Sequence, residues 1–276
     1  MKIAHLILVH QNPLQLQRLI KRLTHDNANF YIHVDSKTEI SSFLFLASQN
    51  VKFISKRVSV QWGAYSMVQA TVNGLAEILL DDKYDYINLM SGQDYPLKPT
   101  AAIHNFFEQN PNKAFMHSLS VENEWQEAIP RLTKYHLTNY NFSGKYTLEN
   151  WLNKWLPARK MPNNLIAVGR SQWFTISSQH AEYIITYLRK NKNVKRYFEF
   201  TWGSDEFVFQ TVLFNSIYQK DMVNDNLRYI DWSEGNYSPK MLKINDLRVL
   251  INSGRLFARK FNETLDSDIL NELDRL

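Results

Sequence analysis

The first half of the chain alternates continuous apolar runs with segments of helical period. Residues 2–9 (KIAHLILV) are apolar almost throughout, as a strand buried on both faces would be. Asn12-Pro13 follows, pairing a side chain able to cap a helix with a proline suited to its first turn. Leu14, Leu16, Leu19, Ile20 and Leu23 then supply one buried helix face. Further strands are predicted at 29–35, 51–55 and 84–90, with a short helix near 40–48 and a long one over 64–81. Such alternation is the pattern of a mainly parallel sheet covered by helices.

The second half is less regular. Strands are predicted at 114–119, 131–137, 172–177, 227–232 and 256–261, and helices at 147–155, 178–190, 204–218, 245–252 and 266–275. The aromatic, basic stretch 140–162 reads as a long surface excursion. No Gly-, Ser- or Pro-rich linker and no repeat divides the chain, so residues 1–276 are expected to form one domain. At 276 residues it approaches the largest size that one core supports.

Composition narrows the partners. Apolar residues at 44% and charged residues at 21% are those of a folded globular chain and exclude disorder. The net charge of +5 favours an anionic ligand. Nucleic acid is not expected, because Lys and Arg are not clustered among aromatics, and Lys190–Arg196 reads as a solvated helix end. The absence of cysteine excludes disulfides, thiolate zinc sites and a cysteine nucleophile, and it suits a reducing compartment. The N-terminal run contains His5 and no small-residue cleavage site, which reads as a first strand rather than a signal peptide. No apolar run reaches the roughly 20 residues of a membrane span, so a cytoplasmic protein is expected. Trp151 and Trp155, at i,i+4, fit either core packing or peripheral contact with a membrane.

Ligands of open α/β sheets bind beyond the carboxyl ends of the strands. Those ends read Val9-His10-Gln11, His33-Val34-Asp35-Ser36-Lys37 and Ser91-Gly92-Gln93-Asp94-Tyr95-Pro96. Asp35 suits either a ribose or uracil contact or a turn cap, and the Ser91–Pro96 segment suits either a site loop or a tight turn. Neither GxGxxG nor GxxxxGK[ST] occurs, which disfavours dinucleotide and P-loop enzymes, and no HExxH or HxH suggests a metal. The single DxD, Asp266-Ser267-Asp268, opens the last predicted helix and reads as a cap. Asp205 and Glu206 stand together among Phe198, Phe200, Trp202, Phe207 and Phe209. They fit the acidic first turn of a helix capped by Ser204, or a carboxylate tuned as a general base by aromatic walls.

Ordered segments along nearly the whole chain resemble the core-2/I-branching β-1,6-N-acetylglucosaminyltransferases and peptide O-xylosyltransferases of glycosyltransferase family 14. They are YIHVDSK (31–37), VSVQWGAYSMVQAT (58–71), YINLMSGQDYPLK (86–98), GRSQWFTISSQHAEYI (169–184), TWGSDEFVFQTVL (201–213), LRYIDW (227–232), SPKMLKINDL (238–247) and LFARKF (256–261). The resemblance implies a GT-A α/β fold, with a Rossmann-like, nucleotide-sugar-binding half over about 1–120 and a mixed acceptor-binding half over about 121–276. It implies an inverting enzyme that uses a UDP-sugar donor, GlcNAc first and xylose second, and no metal ion. A non-catalytic nucleotide-sugar or glycan-binding protein of this fold is the alternative. By resemblance Glu206 is the base, and Val9, His10, Asp35, Lys240 and Lys260 bind the donor, with the two lysines at the diphosphate. Ser91, Gly92, Gln93, Asp94 and Tyr95 lie near the sugar, and Trp173, Tyr229 and Trp232 form the acceptor side. The family's better-known members are disulfide-bonded Golgi membrane enzymes. With no cysteine, the chain is expected to be a compact bacterial-type relative acting on a glycan or lipid-linked glycan.

Overall fold

The computed structural model describes residues 1–276. Its first half follows the expected order: β1 (Ile3–Val9), α1 (Pro13–Leu23), β2 (Ala28–Val34), a 3-10 turn over Ile40–Leu46, β3 (Val51–Phe53), α2 (Tyr65–Asp81) and β4 (Tyr86–Ser91). These four strands are mutually parallel, in the order β3-β2-β1-β4. Side chains of β1 alternate between two cores: Ile3 and Ile7 pack with α1, while Ala4 and Leu6 pack with α2. That two-sided burial is why the strand reads as one apolar run.

Beyond β4 come β5 (Asp94–Pro96), α3 (Thr100–Gln109), β6 (Ala114–Ser120), α4 (Ile129–Thr133), α5 (Lys145–Trp155) and β7 (Val168–Ser177). Then follow α6 (Ser178–Lys190), α7 (Lys192–Glu199), α8 (Val208–Phe214), β8 (Met222–Val223), β9 (Arg228–Ile230), α9 (Leu247–Asn252), β10 (Phe257–Arg259) and α10 (Asp268–Asp274). The large sheet continues through β7, antiparallel to β4, then β6 and β8. A small sheet, β5-β10-β9, stands apart from it. It pairs Arg259 with both Asp94 and Ile230, and so joins the Ser91–Pro96 segment to two distant parts of the chain.

Several expectations are corrected. Residues 131–137 are not a strand: Pro130 opens the short helix α4, and the chain beyond Thr133 is irregular. The helix expected over 204–218 is a 3-10 turn at Ser204–Glu206, then α8, then a second turn at Ile217–Asp221. Ser204 caps nothing; its hydroxyl is buried without a partner. Asn12 precedes Pro13 in a left-handed conformation, but its side chain reaches Asn262 rather than the helix. Asp266 does cap, accepting from Ile244 N at 2.9 Å and Ile269 N at 3.1 Å. No helix is long and apolar enough to cross a membrane.

Candidate active site

Parallel pairing aligns the ends of β1 and β2, so Val9 stands beside Val34, with Asp35 just beyond. The Asp35 amide donates to Val9 O at 2.9 Å. One carboxylate oxygen accepts from Lys37 N at 2.9 Å, which is a turn cap, and the other lies 3.5 Å from Lys37 Nζ. Ser91, at the end of β4, accepts from Gln93 N through its hydroxyl at 3.1 Å. The Gln93 carbonyl accepts from Phe261 N at 2.9 Å, which sets Lys260 against this corner. Lys260 is half-buried, and burial, reinforced by Arg259, holds its ammonium below the usual range. Partial desolvation lowers the His10 imidazole below its ordinary range, against the pull of Asp35.

Glu206 reaches the same space from the second half. Its Oε2 lies 2.8 Å from Arg131 Nη2. The Arg131 guanidinium stacks over Trp202 at 4.2 Å and also sits over Trp125 and Phe207. Two glycines permit this packing. Gly203 has φ 65°, and a Cβ there would meet Arg131 at 2.5 Å; a Cβ on Gly169 of β7 would meet the Glu206 carbonyl at 2.2 Å. Burial raises the Glu206 carboxyl above the ordinary range, and Arg131 pulls it back. Asp205 is buried behind it, with one carboxylate oxygen unpartnered. Burial first, and then the Glu206 charge, push Asp205 up to about 7.

A single cleft of about 930 Å³ is lined by Val9, His10, Asp35, Ser91, Gln93, Trp173, Glu206, Tyr229, Trp232 and Lys260. Four expected residues lie outside its lining. Gly92 faces inward, its carbonyl accepting from Gln15 at 2.9 Å. Asp94 and Tyr95 are fully buried, Asp94 between Arg228 and Arg259, and the Tyr95 hydroxyl on Asp274. Lys240 is held by Asp246 at 2.7 Å and Asp231 at 3.9 Å, while its neighbours Ser238 and Pro239 line the cleft. A larger groove, about 1290 Å³, runs between α1 and the Ile40–Leu46 turn, away from these strand ends. Its Arg18 is already paired with Glu263 and Asp274.

The family model for the Core-2/I-Branching enzymes matches residues 3–250. The chain belongs to this family. Human xylosyltransferase 2 is 26% identical over 300 residues, which cover 99% of this chain and 33% of that protein. Human xylosyltransferase 1 is likewise 26% identical, over 99% of this chain and 30% of that protein. The chain therefore spans about a third of the length of these relatives. Mouse xyloside xylosyltransferase 1 aligns in three dimensions with a TM-score of 0.40 at 9% identity, covering 93% of this chain and 97% of that one. Membership, with the sheet described above, places the chain in the GT-A class that its resemblance implied.

In this Core-2/I-Branching family member several cleft residues escape a sequence reading. Arg131 sits in a five-residue helix, too short to show a period. Arg259 is masked by its neighbour Lys260, although it lies over Trp173 at 4.2 Å. Trp62, Trp125, Arg170 and His117 also line the cleft; Trp62 and Arg170 fall within the family-like segments, while Trp125 and His117 have residue type as their only signal.

The buried acidic pair sets a pH dependence of stability. Folded Asp205 keeps its proton up to about 7, against an ordinary value of 3.8. Between those values the folded chain binds more protons than the unfolded one, so this group's contribution falls as pH rises. Asp205→Asn is expected to flatten that decline. Urea midpoints measured from about pH 4 to about pH 8 check it, and an unchanged slope would count against a protonated Asp205.

Proposed function

We propose that the chain is an inverting glycosyltransferase that moves a sugar from a UDP-sugar to a hydroxyl of a glycan, without a metal ion. The observation that carries this reading is the meeting of Glu206 with Lys260, Asp35 and the strand-end residues in one cleft. Glu206 takes the proton of the acceptor hydroxyl as that oxygen bonds to the anomeric carbon. The bond from that carbon to the diphosphate oxygen breaks, UDP leaves from the opposite face, and an α-linked donor gives a β-linked product. Lys260 balances the charge gathering on the diphosphate, with Lys240 a lesser contributor because two carboxylates already hold it. Asp35, with one oxygen on the turn and the other toward Lys37, is poised at the uridine end.

For the donor, the resemblance to β-1,6-N-acetylglucosaminyltransferases puts GlcNAc first, and the relatives' names favour xylose. Thermal-shift measurements with a panel of UDP-sugars in EDTA would distinguish them, the true donor giving the largest shift. A shift only when divalent cations are restored would overturn metal independence. UDP release in the presence of a glycan acceptor separates an enzyme from a binding protein of the same fold.

Lys260→Ala is expected to weaken UDP roughly ten- to a hundred-fold, the loss of one charge-assisted contact. Lys240→Ala should cost much less. Calorimetric titration of both variants tests the assignment, and equal losses would move the diphosphate toward Lys240.

A further inference from the structure

Helix α5 carries no buried residue. Leu148, Trp151 and Trp155 stand at i, i+3 and i+7 and so share one face, which is 40%, 56% and 65% exposed at those residues. The expectation of core packing for the two tryptophans is therefore wrong. The helix is nevertheless fixed from behind. Asn153 accepts from Tyr135 N at 2.7 Å and donates to Tyr135 O at 2.8 Å. Arg159 donates to Lys134 O at 2.9 Å and Phe200 O at 2.6 Å. The aromatic face is thus displayed by a rigid mount.

Charge around this face has one sign. Lys134, Lys154 and Lys160 are exposed, and Lys145 lies with its ammonium 4.9 Å from the Tyr146 ring centre. Lys154 sits 5.4 Å from the Trp155 ring. The only acid between residues 134 and 160, Glu149, turns inward to accept from Leu137 N at 2.7 Å, with His136 at 3.7 Å. An apolar stripe of Trp and Leu flanked by lysines, with no outward acid, suits the boundary between headgroups and acyl chains. We infer that this face of α5 docks on an anionic lipid surface. The segment packs on Tyr197–Thr201, just before the Glu206 turn, so docking brings that side of the cleft to the lipid. Only the use of a lipid-linked acceptor rests on the transferase reading; lipid binding does not.

The test is co-sedimentation of the full chain with vesicles of phosphatidylcholine, alone or mixed with phosphatidylglycerol. Binding is expected to the mixed vesicles and to fall with added salt. Trp151→Ser with Trp155→Ser should lower the partition coefficient on the order of tenfold or more. Lys154→Gln and Lys160→Gln should each lower it roughly fivefold on anionic vesicles only. These side chains are exposed, so wild-type melting is expected of all the variants. Equal partition onto both vesicle types, or unchanged binding by the tryptophan variant, overturns the proposal. So does a face that ignores vesicles but binds soluble oligosaccharides through the same tryptophans.

Discussion

Glu206→Gln is expected to lower kcat by about 10²–10⁴-fold, the usual contribution of general-base assistance, while UDP still binds. The amide keeps the shape of the side chain but cannot take the acceptor proton. The fold should survive, because the substitution leaves the close approach of Gly169 to the Glu206 carbonyl intact. Arg131 would lose its 2.8 Å ion pair yet keep its stacking over Trp202. The wild-type pH profile provides a second readout. Burial holds the Glu206 carboxyl above its ordinary range, and a base must be deprotonated to act. The acid limb of kcat/KM should therefore lie above the ordinary glutamate range and vanish in the variant. Near-full turnover by Glu206→Gln would remove this residue from the mechanism. A loss of UDP binding equal to the loss of turnover would make its role one of positioning.

The parallel half was legible because burial on both faces turns β1 into a nearly continuous apolar run, and because strand ends are where such sheets present polar side chains. Asp35 and Ser91 were found that way, and both line the cleft. Short elements gave no such signal. The five residues of α4 complete barely more than one turn and show no helical period, and beyond them Tyr135 and Leu137, at i and i+2, imitate the alternation of a strand. The helix expected over 204–218 is broken for a different reason. Phe207, at φ −124°, breaks the helix after Glu206 and stacks on Trp125 at 4.9 Å, a contact between distant segments. Lys240 looked available in sequence, yet it is engaged by two carboxylates that only folding brings to it. Trp151 and Trp155 failed the other way, with helical spacing that leads to no core.

Asp94→Asn is expected to destabilise the fold by about 3–5 kcal/mol, the usual result of removing one partner from a buried ion pair. The side chains of Asp94 and Arg228 are shielded completely from solvent, and that of Arg259 nearly so. The Nε atoms of the two arginines lie 3.8 and 3.6 Å from the carboxylate. Asp94 Oδ1 and both Nε atoms make no hydrogen bond, so these contacts rest on charge. Burial pushes the Asp94 carboxyl up, while the two guanidiniums hold it down. With the carboxylate gone, Arg228 still donates to Asn88 Oδ1 and Leu89 O, each at 2.6 Å, but two buried cations then face each other without a counter-charge. At roughly 2–4 °C per kcal/mol, Tm should fall on the order of 10 °C. Adding Arg259→Met should recover part of the loss, because it removes one of the uncompensated charges. A small Tm change in Asp94→Asn would mean that the backbone carbonyls around Arg228 suffice. The same variant tests the cleft: Asp94 accepts from Ser91 N at 3.2 Å and pairs across the small sheet with Arg259, the residue before Lys260. UDP affinity should therefore fall along with stability, although Asp94 is fully buried.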